Sequence, residues 1–233
     1  MALPNQPKGE LKAVVDPEIV EMDVDALIIG GGMAACGTAF EIKKWAPEDM
    51  KILLVDKACI ERSGAVAQGL SAINTYVGEN PIRDYVKMVR NDLMGVVRED
   101  LIYDCGRHVD ESVKLFEEWG LPVWKKSDDG ENLDGAKPAP TLREGGTPVR
   151  TGKWQIMING ESYKCIVAEP AATALGADNM LERVFIVKML LDKNKPNQIA
   201  GATGFSVREN KVYYIKCKTA VVACGGAVNI FRP

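Results

Sequence analysis

Apolar positions along this chain group in two ways. Short unbroken runs occur at Ala26-Leu-Ile-Ile29, inside Lys51-Ile-Leu-Leu-Val-Asp56, and in Thr219-Ala-Val-Val-Ala-Cys-Gly-Gly226. Such runs predict short strands covered on both faces. Other stretches carry helical spacing. Ala34 to Trp45 reads as a helix stopped by Pro47. Ile82, Tyr85, Val86 and Val89 follow Asn80-Pro81, a cap and a first-turn proline. A further helix is predicted from about Asp100 to Trp119, with Leu101, Cys105, Val109, Val113 and Phe116 on one side and Gly120 closing it. Residues 161–181 read as helical, with Pro170 kinking or dividing them.

The last third changes period. Residues 182–192, 199–207 and 211–216 read as strands, separated by Asn194-Lys-Pro-Asn197 and Arg208-Glu-Asn210. This predicts an antiparallel β-meander. The fold class is therefore α/β: a Rossmann-like parallel sheet with helices, plus the meander. Residues 1–22 read as a polar, proline-bearing arm, and 23–233 as one domain with a loop insertion at about 121–160. Residues 58–79 form a long apolar loop without period, whose backbone groups need partners that a ligand would supply. Residues 124–150 also lack pattern; Arg143, Glu144, Arg150 and Lys153 make them either an anion contact or a solvated loop.

Composition narrows the class. The 233 residues are 46% hydrophobic and 26% charged, with a net charge of −3. These are values of a globular protein with no general attraction to nucleic acid or anionic membrane. No run approaches a membrane span, and the N-terminus lacks a signal-peptide core, so a cytoplasmic location is expected. The six cysteines are scattered and His108 is the only histidine. No zinc site or iron–sulfur cluster is expected, and His108 reads as an ordinary helix residue.

The chemistry concentrates at Asp25-Ala-Leu-Ile-Ile-Gly-Gly-Gly-Met-Ala-Ala-Cys-Gly37. Gly30, Gly32 and Ala35 fit G-x-G-x-x-G/A between a strand and a helix. The first glycine permits the tight turn and the second lets the backbone approach a pyrophosphate. The small third residue lets helix pack on strand. Asp56 ends the next strand, 24 residues after Gly32, near where a ribose-binding carboxylate is expected. The acid alone does not separate NAD from FAD. The strand at 219–224 brings Gly225-Gly226 back toward the same crevice.

Three motifs in order carry a resemblance: the turn Gly30–Ala35, the loop Arg62-Ser-Gly-Ala-Val-Ala-Gln-Gly-Leu-Ser-Ala-Ile-Asn74, and Val221-Val-Ala-Cys-Gly-Gly-Ala227. With them the chain resembles the flavoprotein subunits of the succinate dehydrogenase and fumarate reductase superfamily. Within it, the middle loop, Pro140 to Lys164 and Cys224 to Pro233 are similar to the alpha subunits of dissimilatory adenylylsulfate reductases.

The resemblance implies an oxidoreductase of sulfur metabolism that interconverts adenylylsulfate with AMP and sulfite through a flavin N5–sulfite adduct. It implies a heterodimer with a beta subunit holding the iron–sulfur clusters, and is compatible with an indirect link to membrane electron carriers. It places Gly30, Gly32, Met33, Ala34 and Ala35 at the FAD pyrophosphate and Asp56, with Lys57 and Ala58, at the ribose. Ser63, Gly64, Ala65, Gln68, Gly69, Ser71 and Ala72 fall along the flavin, and Cys224, Gly225 and Gly226 return near it. Asn74 and Glu144 are the substrate-side candidates. Succinate dehydrogenases carry a histidine after the loop serine that bonds FAD covalently; Gly64 stands there, so non-covalent FAD is expected. The family's subunit is far longer. The chain reads as an N-terminal part without the capping domain, inactive in isolation. A dicarboxylate enzyme of the fumarate reductase or L-aspartate oxidase type, and a non-catalytic FAD-binding module, remain alternatives.

Overall fold

The computed structural model describes residues 16–68, 72–74, 81–121, 125–126, 147–148, 150–152, 155–157 and 160–226. In chain order the elements are β1 (Glu18–Ile29), α1 (Met33–Trp45), β2 (Ile52–Val55), β3 (Ala72–Asn74), α2 (Ile82–Asp92) and α3 (Glu99–Glu118). Short strands β4 (Lys125–Lys126), β5 (Thr147–Pro148), β6 (Arg150–Gly152) and β7 (Gln155–Met157) follow. Then come α4 (Gly160–Leu175), β8 (Met180–Leu181), β9 (Val184–Leu191), β10 (Ile199–Ser206) and β11 (Lys211–Val222).

One six-stranded sheet has the order β8-β2-β1-β11-β10-β9. The first four strands run parallel; β10 runs antiparallel to both β11 and β9. The meander is thus part of the parallel sheet, not a separate layer. The reason lies in β11. It pairs with β1 along its length, from Glu18↔Lys211 to Ile29↔Val222, while its first half also pairs with β10. The expected strands at 211–216 and 219–224 are therefore one strand. Likewise β1 starts at Glu18, so residues 18–22 belong to the sheet and not to an arm.

Two cores lie on opposite faces of β1 and β2. Ala26, Ile28, Ile52 and Leu54 pack against Ala35, Cys36 and Ala39 of α1 and against Tyr163, Val167, Ala168 and Ala171 of α4. Leu27, Ile29, Leu53 and Val55 share the other core with Val184, Ala202, Tyr213 and Ile215 of the meander. Burial on both faces is why these strands read as unbroken apolar runs. Truncating a fully buried residue such as Leu54 to alanine costs about 2–5 kcal/mol.

The helices follow the expected positions with three differences. In α3 the buried side is set by Gly106, Val109, Val113 and Phe116, whereas Leu101 and Cys105 are exposed. The missing side chain at Gly106 sets this face: a Cβ there would lie 3.1 Å from Ile82 Cδ1 and 3.3 Å from Tyr85 Cδ1, so α2 packs at that point. Pro81 occupies the N-cap of α2, one position before the expected first turn. Helix α4 runs through Pro170 unbroken and ends at Leu175, where Gly176 turns left-handed at φ +80°. Residues 180–181 instead pair with β2 as β8.

Tyr163 joins α4 to the start of α1. Its hydroxyl donates to Met33 Sδ at 2.7 Å, and its ring meets Phe116 edge-on. Burial pushes its phenol up to about 12. Below about pH 10 the phenol is neutral in both folded and unfolded chains; above it the unfolded chain ionises first. Stability is therefore expected to fall between about pH 10 and 12, by about 2–3 kcal/mol from this group. Denaturant titrations across that range should show a shallower fall for Tyr163→Phe than for the wild type. Equal slopes would contradict this assignment.

Candidate functional site

The turn after β1 sits where three parallel strands end. The Gly30 N–H donates to the Val55 carbonyl and the Ala223 N–H to the Ile29 carbonyl, both at 2.8 Å. Gly30 has φ +118°, and a Cβ there would run into the Ala223 carbonyl. At Gly31 a Cβ would lie 2.6 Å from the Asp56 carboxyl carbon. Only bare backbone fits this wedge. The carboxyl ends of parallel strands are where open α/β sheets hold ligands.

Gly32 is the N-cap of α1, and no side chain caps the helix. The first turn carries no acid, and Met33 and Ala34 are exposed. Uncapped N–H groups and the positive end of the helix dipole therefore face outward, an arrangement suited to a phosphate. Ala35 is fully buried and contributes packing of α1 on the sheet, not ligand surface.

A second loop closes on this turn. Gly64 has φ +89°, and a Cβ there would lie 2.8 Å from the Gly32 Cα. The two glycines pack backbone to backbone, bringing residues 63–65 over the helix start. The Ser63 side chain is buried, and its hydroxyl has no hydrogen-bond partner among the described residues. The loop is held from behind: the Ile60 N–H donates to Glu182 Oε1 at 2.7 Å, and Lys164 Nζ donates to the Ile60 carbonyl. Asp56 is buried; its Oδ2 accepts the Ala58 N–H at 3.0 Å, and its other oxygen has no partner among the described residues. A buried carboxylate oxygen left so is costly unless a ligand donates to it. Cys224 lies at the mouth, its Sγ 3.5 Å from the Ile29 carbonyl, followed by exposed Gly225 at φ +78° and Gly226.

The FAD binding domain family matches residues 25–232, from the end of β1 past the second glycine turn. The chain belongs to that family. The FAD-binding domain is 65% identical over 227 residues to the adenylylsulfate reductase subunit alpha of Megalodesulfovibrio gigas, covering 95% of this chain and 34% of that one. It is also similar to a solved adenosine-5-phosphosulfate reductase in complex with sulfite as a covalent adduct, at 49% identity and TM-score 0.82, covering 99% of this chain and 34% of that chain. The quinol fumarate reductase of E. coli shares the fold at TM-score 0.65 and 19% identity, covering 91% and 34%. The chain thus spans about a third of the length of these relatives.

Of the residues singled out from sequence, Gly30, Gly32, Met33, Ala34, Asp56, Ala58, Ser63, Gly64 and Cys224 to Gly226 lie at or next to the glycine turn. Ala65 begins the 3₁₀ turn Ala65–Gln68 that continues from it. Lys57 is exposed and points away, its Nζ 5.7 Å from the Phe185 ring centroid. Ala72 and Asn74 lie on β3, opposite Met157 and Gln155. Gly69, Ser71 and Glu144 lie outside the described residues. His108 is exposed on α3, 3.7 Å from Glu111, as expected of an ordinary helix residue. Sequence reasoning missed Lys164 and Glu182, which support the loop from distant elements. The only signal was a lysine inside an otherwise apolar helix face.

Gly64→Ala introduces a Cβ at a left-handed backbone position and against Gly32. FAD affinity, read by flavin fluorescence quenching, is expected to fall at least about tenfold, the equivalent of about 1.4 kcal/mol. Gly37→Ala, whose Cβ would meet nothing within 4 Å on α1, should bind as the wild type does.

Proposed function

We propose that this chain is the flavin-holding N-terminal part of an adenylylsulfate reductase alpha subunit, interconverting adenylylsulfate with AMP and sulfite. The observation that carries the reading is the 65% identity along 95% of the chain to such a subunit, against 19% to a fumarate reductase of the same fold. When bound, FAD supplies the redox centre at which sulfur is reduced or oxidised. The chain's own residues bind and orient it.

In this reading the N–H groups at Gly32, Met33 and Ala34 hold the pyrophosphate. Asp56 accepts from the adenosine ribose through its unpartnered oxygen. Ser63, Gly64 and Ala65, with Gln68, Gly69, Ser71 and Ala72 beyond them, line the flavin, and Cys224 to Gly226 close the other side. Gly64 admits no side chain without displacing Gly32, which supports non-covalent FAD. Asn74, at the end of β3, and Glu144 are the residues assigned to the substrate's sulfo group in this reading. The relative is a subunit alpha, and we assign electron delivery to an iron–sulfur beta subunit. The capping domain would lie in the two thirds of the relatives' length beyond this match. A cytoplasmic location belongs to the same proposal.

Sulfite titration of the FAD-loaded full-length protein tests it. Sulfite is expected to bleach the oxidised flavin's visible absorption, and AMP to alter that response. Reduction of fumarate by the reduced protein, with no response to sulfite, would replace this reading with the dicarboxylate one.

A further inference from the structure

Lys164 has a role that the fold does not explain. Its side chain is 2% exposed, on α4 under the first turn of α1. Its Nζ donates to the Ile60 carbonyl and lies 3.5 Å from Cys36 Sγ. Those are its polar contacts among the described residues, and none of them is a carboxylate. Asp56, whose charge also reaches Cys36, forms no ion pair with Lys164; its Oδ2 accepts the Ala58 N–H. Burial pushes the Cys36 thiol up, so Cys36 stays a neutral S–H and does not balance the charge.

A buried cation without an anion is costly to the folded chain, and the cost persists unless something supplies the counter-charge. The position of Lys164 indicates what does. Cys36 belongs to the first turn of α1; its N–H donates to the Gly32 carbonyl at 3.0 Å and its Sγ lies 3.8 Å from the Gly31 carbonyl. The Lys164 ammonium therefore lies beside the first turn of α1, near the helix's uncapped, positive end. Helix dipole and buried charge there have the same sign. The intervening protein screens the charge far less than water would.

We propose that Lys164 is the buried counter-charge for the diphosphate of the bound dinucleotide. It acts from behind the glycine turn without touching the ligand, and its charge is balanced only when the diphosphate is in place. Through the Ile60 carbonyl it also positions the loop that carries Gly64. The proposal rests on membership of the FAD-binding family and not on the adenylylsulfate reading.

Lys164→Gln keeps a donor for the Ile60 carbonyl and removes the charge; Lys164→Met matches the apolar stem and removes both. The test measures the FAD dissociation constant and the apoprotein's thermal midpoint for the full-length protein and both variants. Both variants are expected to bind FAD roughly tenfold more weakly. Their apoproteins should melt at or above the wild-type midpoint, because an unbalanced charge has gone. Wild-type FAD affinity in Lys164→Gln would overturn the proposal. So would a lowered apoprotein midpoint, up to failure to fold, which would make Lys164 a structural tie alone. Neither readout involves sulfite or adenylylsulfate, so a domain that holds FAD for another substrate would leave the result standing.

Discussion

The structure depends on one stretch of bare backbone, Gly30 to Gly32. Three strand ends, a helix start and a distant loop meet there, and the stretch itself contributes no side chain. Gly30 lies against the Ala223 carbonyl, Gly31 against Asp56 and Gly32 against Gly64. Each contact excludes a Cβ or leaves little room for one, and together they bring residues from three parts of the chain to one crevice. The parallel pairing of β11 beside β1 and of β2 on its other side is what delivers those parts. Burial of β1 and β2 on both faces makes that platform rigid.

Polar groups around the turn are arranged with charges and acceptors left open. Among the described residues, no side chain caps the helix start, one Asp56 oxygen and the Ser63 hydroxyl have no partner, and buried Lys164 meets no acid. In a closed core each of these would be a defect. Clustered at the carboxyl ends of parallel strands, they describe the outline of a polar, phosphate-bearing ligand. Membership of the FAD-binding family fits that outline, and the low identity to fumarate reductases leaves substrate choice to residues beyond the shared fold.

Much of this was legible in sequence because it is local. The run Ala26–Ile29, the glycines after it and the acid at Asp56 lie within one β-α-β unit, and their spacing alone implies the turn. The helices were legible from periodicity, as were Val109, Val113 and Phe116 on the packed side of α3, but the exposure of Leu101 and Cys105 was not, because Gly106 makes room for α2 in a way apolar spacing does not register. The single strand β11 was read as two, since Tyr213–Lys218 alternates buried and exposed while the apolar run that ends the strand, expected to be covered on both faces, is only partly buried, with Val222 exposed. Lys164 and Glu182 were illegible for a different reason: their partner Ile60 is more than a hundred residues away in sequence. Long-range polar ties leave no pattern in the chain that makes them.

In the proposed function this glycine turn and its returning loop cradle FAD without a covalent bond. The most direct measurement is the absorption spectrum of the purified protein, followed by denaturation and analysis of the released cofactor. Flavin bands are expected before denaturation, and free FAD, in equal amount to protein, in the supernatant afterwards. Absence of flavin, release of FMN, or flavin retained on the polypeptide would contradict it.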